Sequence, residues 1–272
     1  MTGGNSGSGW PLELFLAEAK KEFEALSNSN GDRTWKREMV DPLLSVRNLG
    51  VAFGNRAVLR QLSFEIYSGD CLAIIGPNGA GKTVLLKALQ HLVPYQGEIH
   101  WSPEARLGYV PQRVAADREL PLRVSELLAA KARVLHLADQ EIDQVSSELN
   151  LSPEFLGAGI GTLSGGQFQK VLIAFALLGW PNVLLFDEPT ASLDELTEER
   201  IYELVHQLQT QKGITLILVS HDLSVVYRYA SQVLCLSKAK VCMGPPKEIM
   251  TPETLEELYG APPKYYRHLQ EL

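Results

Sequence analysis

Apolar and polar positions divide the chain into a short-stranded region, a helical region and a region where the two alternate. Leu44-Ser45-Val46, Gly50-Val51-Ala52-Phe53 and Leu62-Ser63-Phe64-Glu65-Ile66 are β-rich runs close together, which predicts an antiparallel sheet. Cys71-Leu72-Ala73-Ile74-Ile75 is continuously apolar and reads as a buried strand, with the first turns of a helix at Val84-Leu85-Leu86-Lys87-Ala88-Leu89. A short β segment, Leu107-Gly108-Tyr109-Val110, comes next. Helical patterns and loops then alternate over residues 113–178, with predicted helices at 122–137 and 142–149, the second amphipathic. Strands at 183–186, 215–220 and 232–236, with a helix at 196–210, complete an α/β core.

Outside this core the pattern changes. Residues 1–41 form an N-terminal appendage whose first nine residues are Gly/Ser/Asn-rich, a disordered composition. Leu12, Phe15, Leu16, Ala19, Phe23 and Leu26 then recur at helical spacing with Glu and Lys between them, before a linker at 28–32. Such an amphipathic helix can pack on the body, bind a partner or lie at a membrane surface. The tail, 251–272, holds a short helix, a Pro262-Pro263 break and an aromatic-rich end. Residues 171–186 carry no charge, but Pro181 interrupts them and they fall short of the ~20 apolar residues that span a bilayer. They read as the end of a buried helix, a turn and a strand.

Chemistry concentrates at two places. Gly76-Pro77-Asn78-Gly79-Ala80-Gly81-Lys82-Thr83 matches the phosphate-binding pattern G-x-x-x-x-G-K-[ST], between the predicted strand and helix that the motif needs. Glycines allow positive φ, so backbone N–H groups can turn inward on a phosphate, while Lys82 reaches it and Thr83 offers a hydroxyl to Mg²⁺. Leu163-Ser164-Gly165-Gly166-Gln167 stands just ahead of the apolar strand that ends in Asp187-Glu188. It offers a serine hydroxyl and backbone N–H groups at a helix start, where the dipole favours negative charge. Asp187 and Glu188, at the end of a buried strand, suit a magnesium ion and an attacking water.

These motifs, in this order, resemble the ATP-binding cassette (ABC) ATPases that energise membrane transporters. The likeness runs from about Leu43 to about Gly260, with the ATPase domain at 43–250 and an α-helical signature subdomain at about 113–178. It implies an α/β P-loop NTPase core, RecA-like, flanked by an antiparallel β segment. It also implies further site residues. Phe53 falls where the family stacks an aromatic ring on adenine, and Gln112 matches the Q-loop glutamine. Asp187 and Glu188 match the Walker B aspartate and catalytic glutamate, Ser192-Leu193-Asp194 the D-loop, and His221 the switch histidine.

The mechanism implied by the resemblance uses two copies, or a copy and a paralogue, with ATP between them. Each ATP sits on the Gly76–Thr83 loop of one copy and against Ser164, Gly165 and Gly166 of the other. Glu188 is the implied general base, with His221 at the γ-phosphate and Lys82 neutralising the transferred group. Thr83, Gln112 and Asp187 hold Mg²⁺ directly or through water. Implied partners are an integral membrane permease, a second ATPase subunit and, indirectly, a substrate-capture protein. The expected location is the cytoplasmic face of the membrane.

Some positions depart from the family. Phe168 follows the signature where a polar or basic residue is usual, and Phe175 replaces an arginine in Ala174-Phe175-Ala176-Leu177. Val84 stands where a second hydroxyl usually follows the phosphate loop. None of these removes a group needed for hydrolysis.

Composition narrows the function classes. A net charge of −7 and pI near 5.5 leave no electrostatic footprint for nucleic acid. Met1 to Gly9 lacks the basic region and apolar core of a secretory signal, which sets the expectation of a cytosolic protein. Cys71, Cys235 and Cys242 form no CxxC pair, and the first two read as small core residues.

Cargo is the finest reading. The stretches at 107–112, 120–124 and 233–236, and the short span from Lys82 to Gln112, are similar to ATPases of zinc and manganese importers. Those importers take free metal from a capture protein, so the scattered histidines of this chain need form no ligand cluster. The segment 155–162 also lacks the Val-Gly-Glu-x-Gly run of exporter cassettes. Alternatives are an iron–siderophore or cobalamin-type importer, a soluble non-transport ABC ATPase, and a nucleotide-binding module without turnover.

Overall fold

β1 (Leu44–Phe53) and β2 (Arg56–Ile66) form an antiparallel hairpin in which Leu44 faces Ile66 and Phe53 faces Arg56. The computed structural model describes residues 41–112, 121–189, 193–237 and 241–260. The amphipathic stretch at 12–26, the linker at 28–32, Ser192 and the Pro262-Pro263 break lie outside the described residues. β3 (Cys71–Ile75) leads into the phosphate loop and α1 (Lys82–Leu89), which stops where His91 adopts φ +57°. β4 (Gln96–Trp101) then returns to pair antiparallel with β1, giving a three-stranded sheet in the order β2-β1-β4. The apolar pattern does not disclose β4, because in Gln-Gly-Glu-Ile-His-Trp only Ile99 is buried.

The second sheet has the order β5-β6-β7-β3-β8-β9. Its strands are β5 (Leu107–Val110), β6 (Val183–Asp187), β7 (Thr215–Val219), β8 (Gln232–Leu236) and β9 (Val241–Gly244). All pair parallel except β9, which runs antiparallel to β8. The continuous apolar runs follow from burial on both faces. Leu184, Phe186, Leu216 and Leu218 enter one core, whereas Val183, Leu185, Ile217 and Val219 enter the other. The first core joins the sheet to the helical region; the second joins it to α1 and the β1-β2-β4 sheet.

The helical region comprises α2 (Val124–Val134), α3 (Asp139–Glu148), α4 (Pro153–Gly157) and α5 (Gly165–Leu177). α2 is shorter than the 122–137 expected from apolar spacing. Arg123 is held extended in a bridge to Gly159, and His136 takes φ +56° beyond the last turn. α3 begins ahead of the expected 142, at Asp139, because a polar first turn with Asp139 and Glu141 suits the positive helix end. α6 (Glu195–Lys212) runs two residues past the expected end and stops at Gly213 in the left-handed conformation. α7 (Leu223–Tyr229), α8 (Pro246–Ile249) and α9 (Pro252–Tyr259) follow. Among the described residues no helix is long and apolar enough to cross a membrane.

Candidate active site

Sheet order assembles the site. β7 lies between β6 and β3, with Asp187 and Ile74 both opposite Val219 at the carboxyl end. The segments that leave these three strands are the phosphate loop, Asp187-Glu188 and Ser220-His221. They emerge side by side, as ligand-binding segments do at the carboxyl edge of an open α/β sheet.

The phosphate loop is shaped by contacts that exclude side chains. A Cβ on Gly76, at φ +150°, would lie 2.0 Å from the Leu236 carbonyl oxygen, and one on Gly81, at φ +103°, 2.9 Å from Val58 and Leu59 methyls. Among the described residues no side chain caps the start of α1 and no acidic residue stands in its first turn. Its amide N–H groups and positive dipole end can therefore receive an anion. Lys82 is buried and donates to the carbonyls of Gly76 at 2.9 Å and Pro77 at 3.3 Å. Burial lowers the Lys82 pKa, with the Glu188 carboxylate 3.5 Å away acting in opposition.

Asp187 is buried and accepts from the Thr83 hydroxyl at 3.1 Å and the Tyr109 hydroxyl at 3.4 Å. Burial pushes its carboxyl above the usual range, and these two donors pull it back. The sequence does not mark Tyr109 as a site residue, because in a short apolar strand it reads as packing. Its phenol is pushed up to about 12 by burial and by the Asp187 charge, so it remains a donor. Tyr259, on α9, is a second such residue, its buried hydroxyl also raised to about 12 chiefly by burial.

Glu188 is the hub. Its carboxylate meets Lys82 at 3.5 Å, accepts from Gln112 Nε2 at 2.5 Å and pairs with His221 Nε2 at 2.5 Å. Its backbone holds φ +47°, a left-handed conformation costly for a residue with a Cβ, and its N–H donates to Val219 O at 3.1 Å. That turn aims the side chain back over the phosphate loop, and Lys82, Gln112 and His221 meet on Glu188. Hard oxygen donors from Thr83, Asp187 and Gln112 suit Mg²⁺. Among the described residues there is no cluster of three His, Cys, Asp or Glu side chains fit for a metal ion.

The remaining implied residues lie at two other places. Phe53 ends β1 with half of its surface exposed, available for stacking. Ser164 is the N-cap of α5: its hydroxyl accepts from Gln167 N–H at 3.2 Å, and Gln167 Oε1 accepts from Ser164 N–H at 2.9 Å. This reciprocal cap occupies the Gln167 side chain within its own chain. A serine that accepts in the cap still has its own O–H to donate. Asp194 caps α6 by accepting from Thr197 N–H at 3.0 Å.

Phe175 has a cationic neighbour. Lys131, on α2, lies 4.6 Å from the Phe175 ring centroid and donates to its carbonyl, so a cation from a neighbouring helix packs on this ring.

The phosphate loop, the Asp187-Glu188 pair beside it and the capped signature helix define a P-loop nucleoside triphosphatase with these groups at the sheet's carboxyl edge. A family model described as ABC transporter matches residues 59–191. The zinc import ATP-binding protein ZnuC of Haemophilus influenzae is 36% identical over 220 residues, covering 80% of this chain and 81% of that protein. Its namesake from Pseudomonas putida is 35% identical over 224 residues, covering 82% and 85%. A solved structure described as a metal-chelate type ABC transporter in an inward-facing conformation superposes with TM-score 0.75 at 29% identity, covering 82% of this chain and 90% of that one. The chain belongs to the ABC transporter family, as an ATP-binding subunit of the kind that hydrolyses ATP to power transport.

Proposed function

We propose that this chain hydrolyses ATP between two subunits to drive import of a transition metal ion, zinc or manganese, through a membrane permease. The observation that carries the hydrolytic part is the convergence of Lys82, Gln112 and His221 on Glu188. In this reading adenine stacks on Phe53 and the phosphates enter the loop from Gly76 to Thr83, including Pro77, Asn78, Gly79, Ala80 and Gly81. Lys82 and His221 turn to the γ-phosphate, a stronger anionic acceptor than one carboxylate. Glu188, relieved of those partners, accepts the proton of the attacking water. Thr83, Gln112 and Asp187 would hold Mg²⁺, which supplies charge neutralisation at the phosphates.

The second half of the site comes from a second copy, with Ser164, Gly165 and Gly166 donating to the phosphate held by the first and Asp194 close by. Reading the signature as a partner's ligand is tested by mixing variants. Ser164→Arg should keep nucleotide binding and lose turnover, and Lys82→Ala should lose ATP affinity. A mixture of the two should regain about one working site per heterodimer, since each copy repairs the other's defect. No recovery at any ratio would argue against shared sites.

Cargo is supported by relatives named for zinc import at 35–36% identity over about four-fifths of the chain. A second reading, a metal chelate, is favoured by the structural similarity to the metal-chelate type transporter. The ATPase itself needs no metal ligands for its cargo, because a capture protein and the permease select it. The subunit would sit peripherally at the cytoplasmic face through the permease. Deleting the gene should lower cellular zinc or manganese during starvation for the metal, with growth restored by adding it back. Unchanged metal content, with loss of chelate uptake, would select the second reading.

A further inference from the structure

The N-terminal turn of α5 is seated on residues of the same chain that follow the Asp187-Glu188 strand. A Cβ on Gly166 would lie 2.3 Å from the Thr197 methyl, Cγ2, and one on Gly165 would lie 3.1 Å from Leu193 Cδ2. The Gly166 Cα therefore rests directly against that methyl. Threonine is stiff at χ1, and here its rotamer is also tied. Its hydroxyl donates to Asp194 Oδ2 at 2.8 Å while its N–H donates to Asp194 Oδ1 at 3.0 Å. The methyl cannot swing away from Gly166 unless the hydroxyl leaves Asp194.

We propose that Thr197 is a positioning residue for the signature helix, a stop held in place by Asp194 that sets where Ser164, Gly165 and Gly166 present their donors. The role rests on the reading that those donors serve a partner's ATP. While the Asp194 carboxylate holds Thr197, the signature turn has a fixed seat. The glycine at 166 is required by this contact within the chain, independently of any nucleotide.

The prediction separates the methyl from the hydroxyl. With serine at 197, an alanine Cβ at 166 would find the 197 Cβ at 3.6 Å and hydroxyl at 3.8 Å, which are ordinary contacts. With valine, a methyl remains in the way. The full-length chain is compared as wild type, Gly166→Ala, Thr197→Ser, and Gly166→Ala combined with Thr197→Ser or Thr197→Val. Steady-state ATP turnover, KM for ATP, direct ATP binding and thermal unfolding are measured for each.

Gly166→Ala should lower kcat by about tenfold or more, with direct ATP binding unchanged, because residues in contact couple strongly and the phosphate loop is untouched. Adding Thr197→Ser should restore kcat to that of Thr197→Ser alone, and adding Thr197→Val should not. A Gly166→Ala, Thr197→Ser protein no better than Gly166→Ala would overturn the proposal, since the glycine would then be demanded by the nucleotide. Coupling in unfolding temperature without coupling in kcat would also overturn it, leaving packing alone. A wild-type chain that binds ATP without turning it over would instead sink the hydrolytic reading, and the unfolding coupling would still report whether the contact exists.

Discussion

Glu188 Oε1 and His221 Nε2 stand 2.5 Å apart, although the two residues leave different strands and are separated by the whole of α6 and β7. The pairing exists because β6 and β7 are parallel neighbours ending level, with Asp187 opposite Val219. The left-handed turn at Glu188 then points its side chain across to the next strand's exit. The proposed base and its helper are thereby brought together by sheet register, not by any local motif.

Glu188→Gln should retain ATP binding and lower turnover by about 10²–10⁴-fold, the range that a positioned base contributes. Glutamine preserves the shape of the hub but cannot accept the proton. An ATP-dependent dimer should accumulate and be visible by size-exclusion chromatography. Turnover near the wild-type rate would show that the base lies elsewhere.

Tyr109→Phe should weaken magnesium-dependent turnover by a few-fold and cost about 1 kcal/mol of stability, the net worth of one hydrogen bond. The phenol is one of the donors that hold the buried Asp187. Activity titrated against Mg²⁺ should reach half-maximum at a higher concentration than in the wild type. An unchanged titration would mean that Thr83 alone orients the carboxylate.

Gly76→Ala should prevent folding or cost about 2 kcal/mol or more, because the added Cβ meets a backbone oxygen that cannot step aside. Gly79→Ala, at φ +76° with nothing within 4 Å, should cost only about 1 kcal/mol for its left-handed backbone. Urea unfolding of both variants tests the contrast, and equal losses would contradict the packing of Leu236 on the loop.

Lys131 gives a pH dependence of defined sign. Burial lowers its pKa from 10.5 to about 8. Between those values the unfolded chain binds more protons than the folded one, so stability rises with pH over that window and levels off above it. Below pH 8 both states carry the charge and the contribution is flat. Lys131→Met should remove the rise, measured as unfolding free energy at pH 7.5 to 10; an identical slope in the variant would place the titration elsewhere.

The phosphate loop, the signature and Asp187-Glu188 were legible in the sequence because each is a short run whose chemistry depends on neighbours in the chain. The glycines at 76, 79 and 81 adopt positive φ, which their residue type permits without a Cβ penalty. The central strands of the parallel sheet were equally legible, since burial on both faces leaves mainly apolar side chains. β4 was not, because an edge strand with one buried residue has no pattern to show. Nor were Tyr109 on Asp187, Lys131 on Phe175, or Thr197 on Gly166. Each joins residues far apart in the chain, and each uses a residue type that serves equally well in an ordinary strand or helix. The sequence determined which groups are present and the local backbone that each motif requires. Only the tertiary structure decided which groups meet, because strand order and register set those distances and neither is encoded within any one segment.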